Sequence, residues 1–301
     1  MIEAPPAGGK ALAAAGALLA AVFWGGWFPV TRLGVLEGAV TPADMVVLRC
    51  SVGAIVLAPI VFRKGLKLGR AGWLGTLAVL LTLSGPFAFA VGMGARHAPA
   101  AHAAIFIPGT FPALVFLVGL VVFKDPSTPR RWLGLAGVAA GAGLVAYAAF
   151  GREATADWTG YLYFHACPWM WVVYTVVVRI SGLTSAHALG VTHVLAALVY
   201  GPIWLAFGES GLPGLPLGEL AFQVGYHGLL NGLVCMFLYN FAVQRLGAAE
   251  AAVFAALVPC FAAISAWPIL GEPIGPLEGT ALVAVAAGVY LISAPRRRAA
   301  G

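Results

Sequence analysis

Long apolar runs, interrupted by single charges or short charged clusters, make up most of the chain. An ionised side chain is costly at the centre of a bilayer, and about 20 helical residues span its hydrocarbon. Stretches free of Asp, Glu, Lys and Arg therefore predict membrane helices. Nine occur, at 11–31, 71–95, 97–123, 132–151, 158–178, 180–208, 220–244, 251–271 and 279–295. A tenth, at 43–63, carries Arg49 within its apolar run. The predicted fold is an all-α polytopic membrane protein of ten transmembrane helices joined by short loops.

Composition agrees, since 61% hydrophobic against 9% charged residues in 301, with a mean hydropathy of +0.94, leaves too little polar surface for a soluble domain. A net charge of +6 could suggest nucleic acid, but the distribution of the charges gives another reading. With the N-terminus in the cytoplasm, 13 of 17 basic residues fall on the cytoplasmic side, including Arg63, Lys64, Lys67 and Arg70, and Arg296 to Arg298. Eight of eleven acidic residues fall outside, leaving Glu3, Asp125 and Glu250 within. The positive-inside rule then puts both termini in the cytoplasm, as in a multi-pass protein of a bacterial-type inner membrane. The lipid bilayer is the expected partner, and no nucleic-acid partner is needed.

The first apolar run, with Lys10 and the small residues that follow, resembles a secretory signal, but Trp24-Gly25-Gly26-Trp27 is a poor cleavage site and the run is long enough to span. Cys50, Cys167, Cys235 and Cys260 all fall inside predicted spans without a C-x-x-C spacing, so they read as small core residues. No cluster of metal ligands, no P-loop and no H-E-x-x-H occurs, and no cofactor or metal is expected.

The two halves of the sequence repeat. Ala103-Ala104-Ile105-Phe106 corresponds to Ala251-Ala252-Val253-Phe254, and Asp125 follows Pro112 by 13 residues, as Glu272 follows Pro259. Gly134 to Gly143 and Gly279 to Gly288 are both 9 apart, while Trp24 to Arg32 and Trp171 to Arg179 are both 8 apart. Small slips remain: the interval from Ala to Pro is 9 in the first copy and 8 in the second, and the loop after the acid is two residues shorter in the second. The halves are taken as 1–150 and 151–301. Because five spans per half is odd, the second copy enters the membrane from the opposite side, which gives inverted repeats. Carriers built this way bind near mid-bilayer and rock to expose the site alternately.

Pro112 and Pro259 occupy equivalent places in the two copies and are the expected hinges. Gly134, Gly137, Gly141 and Gly143, with Gly279, Ala284 and Gly288, form small-residue faces that allow close packing, within one chain or between copies. The sequence does not choose between monomer and dimer.

Phe23-Trp24-Gly25 in the first span, Arg49 in the second, the Gly271-Glu272-Pro273 turn, Gly279 and Gly288, and the duplicated five-helix unit resemble the EamA-type carriers of the drug/metabolite transporter superfamily. The resemblance covers almost the whole chain and is nearest to the YddG-type amino-acid exporters. It implies outward movement of aromatic and other neutral amino acids through an aromatic-lined cavity. Lys124-Asp125-Pro126 stands in the first copy where the second has Gly-Glu-Pro, which sets the two loops apart.

The residues also point to a substrate class. No Asp or Glu lies deep in a predicted span, so a carboxylate site for cations is not expected. Arg49 either snorkels or pairs with Asp44, or it draws a substrate carboxylate. Trp24, Trp27, Trp169 and Tyr174 lie mid-span on repeat-related helices and could stack on a flat ligand, whereas Trp73, Trp132 and Trp158 sit at span ends as an interfacial belt would. His165 and Trp169 are four apart, as are His227 and Asn231, with Tyr239 following. For His187, His193 and His227 a hydrogen bond between helices is the plainer reading.

Other small-metabolite or amphipathic-drug export is the competing carrier reading. Gly208-Glu209-Ser210-Gly211 matches the G-x-S-G of intramembrane serine proteases but falls in a loop, and no catalytic residue is assigned.

Overall fold

The protein is described by a computed structural model covering residues 7–152, 157–246 and 248–293. Glu3 and Arg296 to Arg298, which enter the charge count, lie outside the described residues, as do the side chains of Arg152, Glu250 and Ala252. Ten helices are long and apolar enough to cross a membrane: α1 (Gly9–Leu36), α2 (Pro42–Lys64), α3 (Gly69–His97), α4 (Ala100–Phe123), α5 (Pro129–Phe150), α6 (Trp158–Ser181), α7 (Ala186–Phe207), α8 (Leu217–Leu246), α9 (Val253–Leu270) and α10 (Pro276–Ser293). No β-strand occurs among the described residues.

Side chains at the span ends set where the helices begin. Thr41 caps α2, its hydroxyl accepting from the Asp44 amide while the Asp44 carboxylate accepts from the Thr41 amide, and Pro42 opens the first turn. Thr128, Asp157 and Thr184 cap α5, α6 and the turn leading into α7 in the same way, with their side chains accepting from backbone amides. Bonds from Thr159, with His97 beside it, hold the Asp157 carboxyl below the ordinary carboxylate range.

The ends of α4 and α9 bear on the repeat. Lys124 closes the first at φ 54° and Gly271 the second at φ 69°, so the loops set apart by sequence share one left-handed cap. Glycine takes this conformation without steric cost; lysine does not.

Both spans are also broken near their repeat-equivalent prolines. In α4 a π-helical turn, Ile105–Gly109, precedes Pro112, which opens the next α-helical segment. In α9 a tight turn at 256–257 precedes Pro259, which opens Val258–Leu270. A π turn holds one residue more than an α turn, which accounts for the extra residue between Ala and Pro in the first copy. Both helices are thus interrupted just before the equivalent prolines.

Residues 1–26, 104–155 and 235–301 pack as one compact unit, called unit 1, and 27–103 and 156–234 as another, unit 2. Each draws segments from both sequence halves. In unit 1, α5 lies against α10 at backbone distance: a Cβ on Gly134 would come 2.6 Å from the Gly288 carbonyl oxygen, and one on Gly141 2.8 Å from that of Ala281. Gly137 meets Ala284 and Gly288, whereas Gly143 meets nothing within 4 Å and Gly279 only Ile274. The small-residue faces therefore pack on each other within the chain.

Unit 2 has its apolar interior among Val61, Leu68, Val79, Val177, Ala188 and Val191, where the cytoplasmic-side ends expected for α2, α6 and α7 converge with the start of α3. Its α8 segment carries a π-helical stretch, Val224–Val234.

Candidate functional site

Among the described residues, every buried polar or charged side chain belongs to unit 2. Several have ordinary structural partners. His187 Nε2 bonds the Gly65 carbonyl at 2.8 Å, the Ser84 hydroxyl donates to the Thr192 carbonyl at 3.1 Å, and His102 pairs with the Tyr161 hydroxyl at 2.7 Å.

Asp44 is fully buried, and its carboxylate accepts from the Trp204 indole at 2.8 Å, the Gly211 amide at 3.0 Å and the Thr41 amide at 2.8 Å. Those donors satisfy it, and Arg49 is not among them. The pairing of Arg49 with Asp44 considered from the sequence is not formed.

Arg49 lies instead among rings. Its guanidinium carbon stands 6.0 Å from the centre of the Trp27 ring and 5.2 Å from that of Phe87, within cation–π range. Cys50, Tyr174 and Cys167 are among the groups that feel its charge. No hydrogen bond or ion pair to its guanidinium forms among the described residues, so a cation within a membrane helix is left to aromatic faces.

Three more polar groups of unit 2 also lack partners. His227 Nε2, His193 Nε2 and Asn231 Nδ2 are buried with nothing to bond. Both histidines feel the Arg49 charge. The Trp27 indole donates to His227 Nδ1 at 2.9 Å, and His193 Nδ1 bonds the Leu189 carbonyl of its own helix at 2.8 Å. A Cβ on Gly232 would lie 3.7 Å from the Arg49 carbonyl oxygen and 3.9 Å from His193 Nε2, so α2, α7 and the π-helical part of α8 meet here. A buried polar group left unpaired costs about 1–3 kcal/mol, which makes this part of unit 2 the candidate for a polar ligand. π-helical turns recur at functional sites for the same reason: they turn side chains out of the regular α register.

The residues expected from the sequence divide as follows. Trp27 and Arg49 belong to this cluster, Asn231 lies with an unbonded amide nitrogen on the π-helical stretch that reaches it, and Tyr174 borders it. Trp24 and Tyr239 belong to unit 1, where their rings lie 5.5 Å apart. His165 and Trp169 share an exposed face of α6, Trp169 at 45% exposure, and neither is brought to Arg49. Trp73, Trp132 and Trp158 are exposed at span ends, as a belt requires. Sequence reading missed Phe87, which no spacing singled out, and gave His193 only a structural part. It also missed the Thr41-x-x-Asp44 capping box, a legible pattern that already engages Asp44.

Ser210 accepts from the Leu212 amide at 3.2 Å, and among the described residues no histidine is its partner. The four cysteines are free thiols.

No curated protein sequence matches this chain. Eight chains of solved structures match it, among them a crystal structure of a protein with 18% sequence identity and a TM-score of 0.62, covering 96% of this chain and 99% of that one. At that identity the likeness is one of fold. The model of the EamA-like transporter family matches twice, over residues 11–147 and 158–294, once in each half of the duplicated sequence. With ten apolar spans and this double match over most of its length, the chain belongs to the EamA-like transporter family.

Proposed function

We propose that this carrier moves small metabolites bearing a carboxylate, foremost aromatic and other neutral amino acids, out of the cell by alternating access. The observation that carries the reading is Arg49, a guanidinium in a membrane helix that faces Trp27 and Phe87 and has no carboxylate to neutralise it. A substrate carboxylate supplies the missing bidentate partner, and the two rings suit an apolar side chain beside it. Export as the direction rests on the resemblance to YddG-type carriers, and cytoplasmic termini rest on the skew of basic residues. The breaks at Pro112 and Pro259 are the points where α4 and α9 would bend during the cycle.

Amphipathic drugs are the competing cargo. Most are cations, and a fixed positive charge in the site works against them.

Purified protein in liposomes tests the reading. Saturable counterflow of labelled phenylalanine is expected, with Arg49→Ala raising KM about 100-fold, or ~2.7 kcal/mol, as loss of a desolvated charge partner does. No saturable flux of any neutral amino acid overturns it.

A further inference from the structure

We infer that Arg49, His193, His227 and Asn231 form an amphoteric site, which grips the carboxylate of an amino acid with one set of atoms and its ammonium with another. The inference rests on the carrier reading above and deepens it, because it separates amino acids from simple carboxylates.

Hydrogen-bond partners assign the ring protons. An indole N–H only donates, so His227 Nδ1, which receives the Trp27 bond, is bare, and in the neutral ring Nε2 carries the proton. A carbonyl only accepts, so His193 Nδ1 donates to Leu189 and its neutral ring leaves Nε2 bare. The two buried imidazoles therefore present opposite faces: His227 Nε2 is an unfilled donor and His193 Nε2 an unfilled acceptor.

Asn231 Nδ2 is another unfilled donor, and Arg49 adds its guanidinium. Of these orphaned buried atoms, His227 Nε2 and Asn231 Nδ2 are donors and His193 Nε2 is the one acceptor. A metal ion would find one ring nitrogen beside a fixed cation, and no group of ligands capable of holding a metal occurs among the described residues. A simple carboxylate satisfies the donors and leaves His193 Nε2 empty. A molecule with both a carboxylate and an ammonium fills both kinds of vacancy, since an ammonium has three donors and no acceptor. A methyl on Gly232 would meet only ordinary contacts, the nearest at 3.5 Å, with His193 Nε2 at 3.9 Å, so a small group can reach the acceptor from this side.

The test compares phenylalanine with 3-phenylpropionate, which lacks only the amino group, as inhibitors and substrates in proteoliposomes. The wild type is expected to prefer phenylalanine by 10-fold or more. His193→Phe, which keeps a ring but no acceptor, is expected to erase that preference by weakening phenylalanine alone. His193→Gln, whose amide oxygen can accept, is expected to restore part of it. Gly232→Ala, whose methyl fits without displacing backbone, is expected to reduce the preference as well, and so provides a second probe if the His193 variants do not fold.

Equal transport of the two compounds by the wild type overturns the amphoteric site while leaving a carboxylate carrier standing. A His193→Phe protein that loses both compounds alike also overturns it. Flux of neither compound in the wild type overturns the carrier reading itself.

Discussion

Unit 1 and unit 2 solve the same problem, holding helices together in lipid, by different means. In unit 1 the helices α5 and α10 touch backbone to backbone through Gly134, Gly137, Gly141 and Gly288, and no polar side chain is buried among the described residues. In unit 2 glycines also admit neighbours, yet what they admit is often a ring: a Cβ on Gly53 would fall on the His193 imidazole, and one on Gly85 on the Tyr200 ring. Its interior holds His193, His227 and Asn231, each with a group left unbonded, and its Arg49 is half-buried. Lipid supplies little hydrophobic drive between helices, so close packing is the available source of stability. Unit 1 uses its interior for that alone, whereas unit 2 carries polarity left unpaired within the protein. On the proposed function, the difference gives stability to one and cargo recognition to the other.

The sharpest way to break this division is to disturb packing in unit 1. Gly288→Leu forces a side chain into a contact where even a Cβ would lie 2.6 Å from the Gly134 carbonyl oxygen and 2.8 Å from the Val138 amide. Overpacking against rigid backbone is expected to cost about 3 kcal/mol. Tm in detergent should drop by several degrees, with the surviving folded fraction keeping its substrate preference. A changed preference with unchanged Tm would put recognition in unit 1 and reverse the comparison.

A smaller effect is expected from Trp27→Phe in unit 2. Phenylalanine retains a ring near Arg49 but lacks the N–H that bonds His227 Nδ1. One such bond is worth about 1 kcal/mol net, or roughly a five-fold rise in KM for phenylalanine. Loss of the bond also frees the His227 ring to exchange its tautomer, so the preference over 3-phenylpropionate should narrow. Tm measured in parallel should move little; a large fall with normal KM would make the Trp27 bond a packing element like those of unit 1.

How much of this was legible in the sequence follows from what lipid penalises. Charges are expelled from spans, so all ten spans could be read, with errors at their ends: α7 starts at Ala186 where 180 was expected, α1 ends at Leu36 where 31 was expected, and α8 starts at Leu217, before the Glu219 taken as a boundary. Internal duplication was legible because it needs only matched intervals. The facing of each helix was not. In a soluble helix polar residues mark the outer face, but in lipid both faces are apolar, and Trp24, Trp27 and Trp169 look alike. One lies in unit 1, one bonds His227 in unit 2, and one is exposed. The π-helical turns were hidden too, apart from the one-residue slip between copies that a π turn in α4 accounts for. Nor could intervals show that the compact units draw segments from both halves, because packing joins helices that the sequence keeps apart.

The mildest test concerns the caps of the two repeat-equivalent spans, both in unit 1. Lys124 ends α4 in the left-handed region that Gly271 occupies at the end of α9, and it is the only described non-glycine residue with positive φ. A Cβ there costs about 1–2 kcal/mol. Lys124→Gly removes that strain and adds back part of it as unfolded-chain entropy, about 0.5–1 kcal/mol. A net gain of roughly 0.5 kcal/mol is expected, visible as a rise in Tm of a degree or two. Because the residue sits at the end of a packing element, KM for phenylalanine and its preference over 3-phenylpropionate should both stay unchanged. The reciprocal Gly271→Lys variant should lose a similar amount of stability, again without touching transport. If either exchange altered KM, the loops that follow α4 and α9 would take part in recognition, and the separation of a packing unit from a recognising one would fail at its boundary.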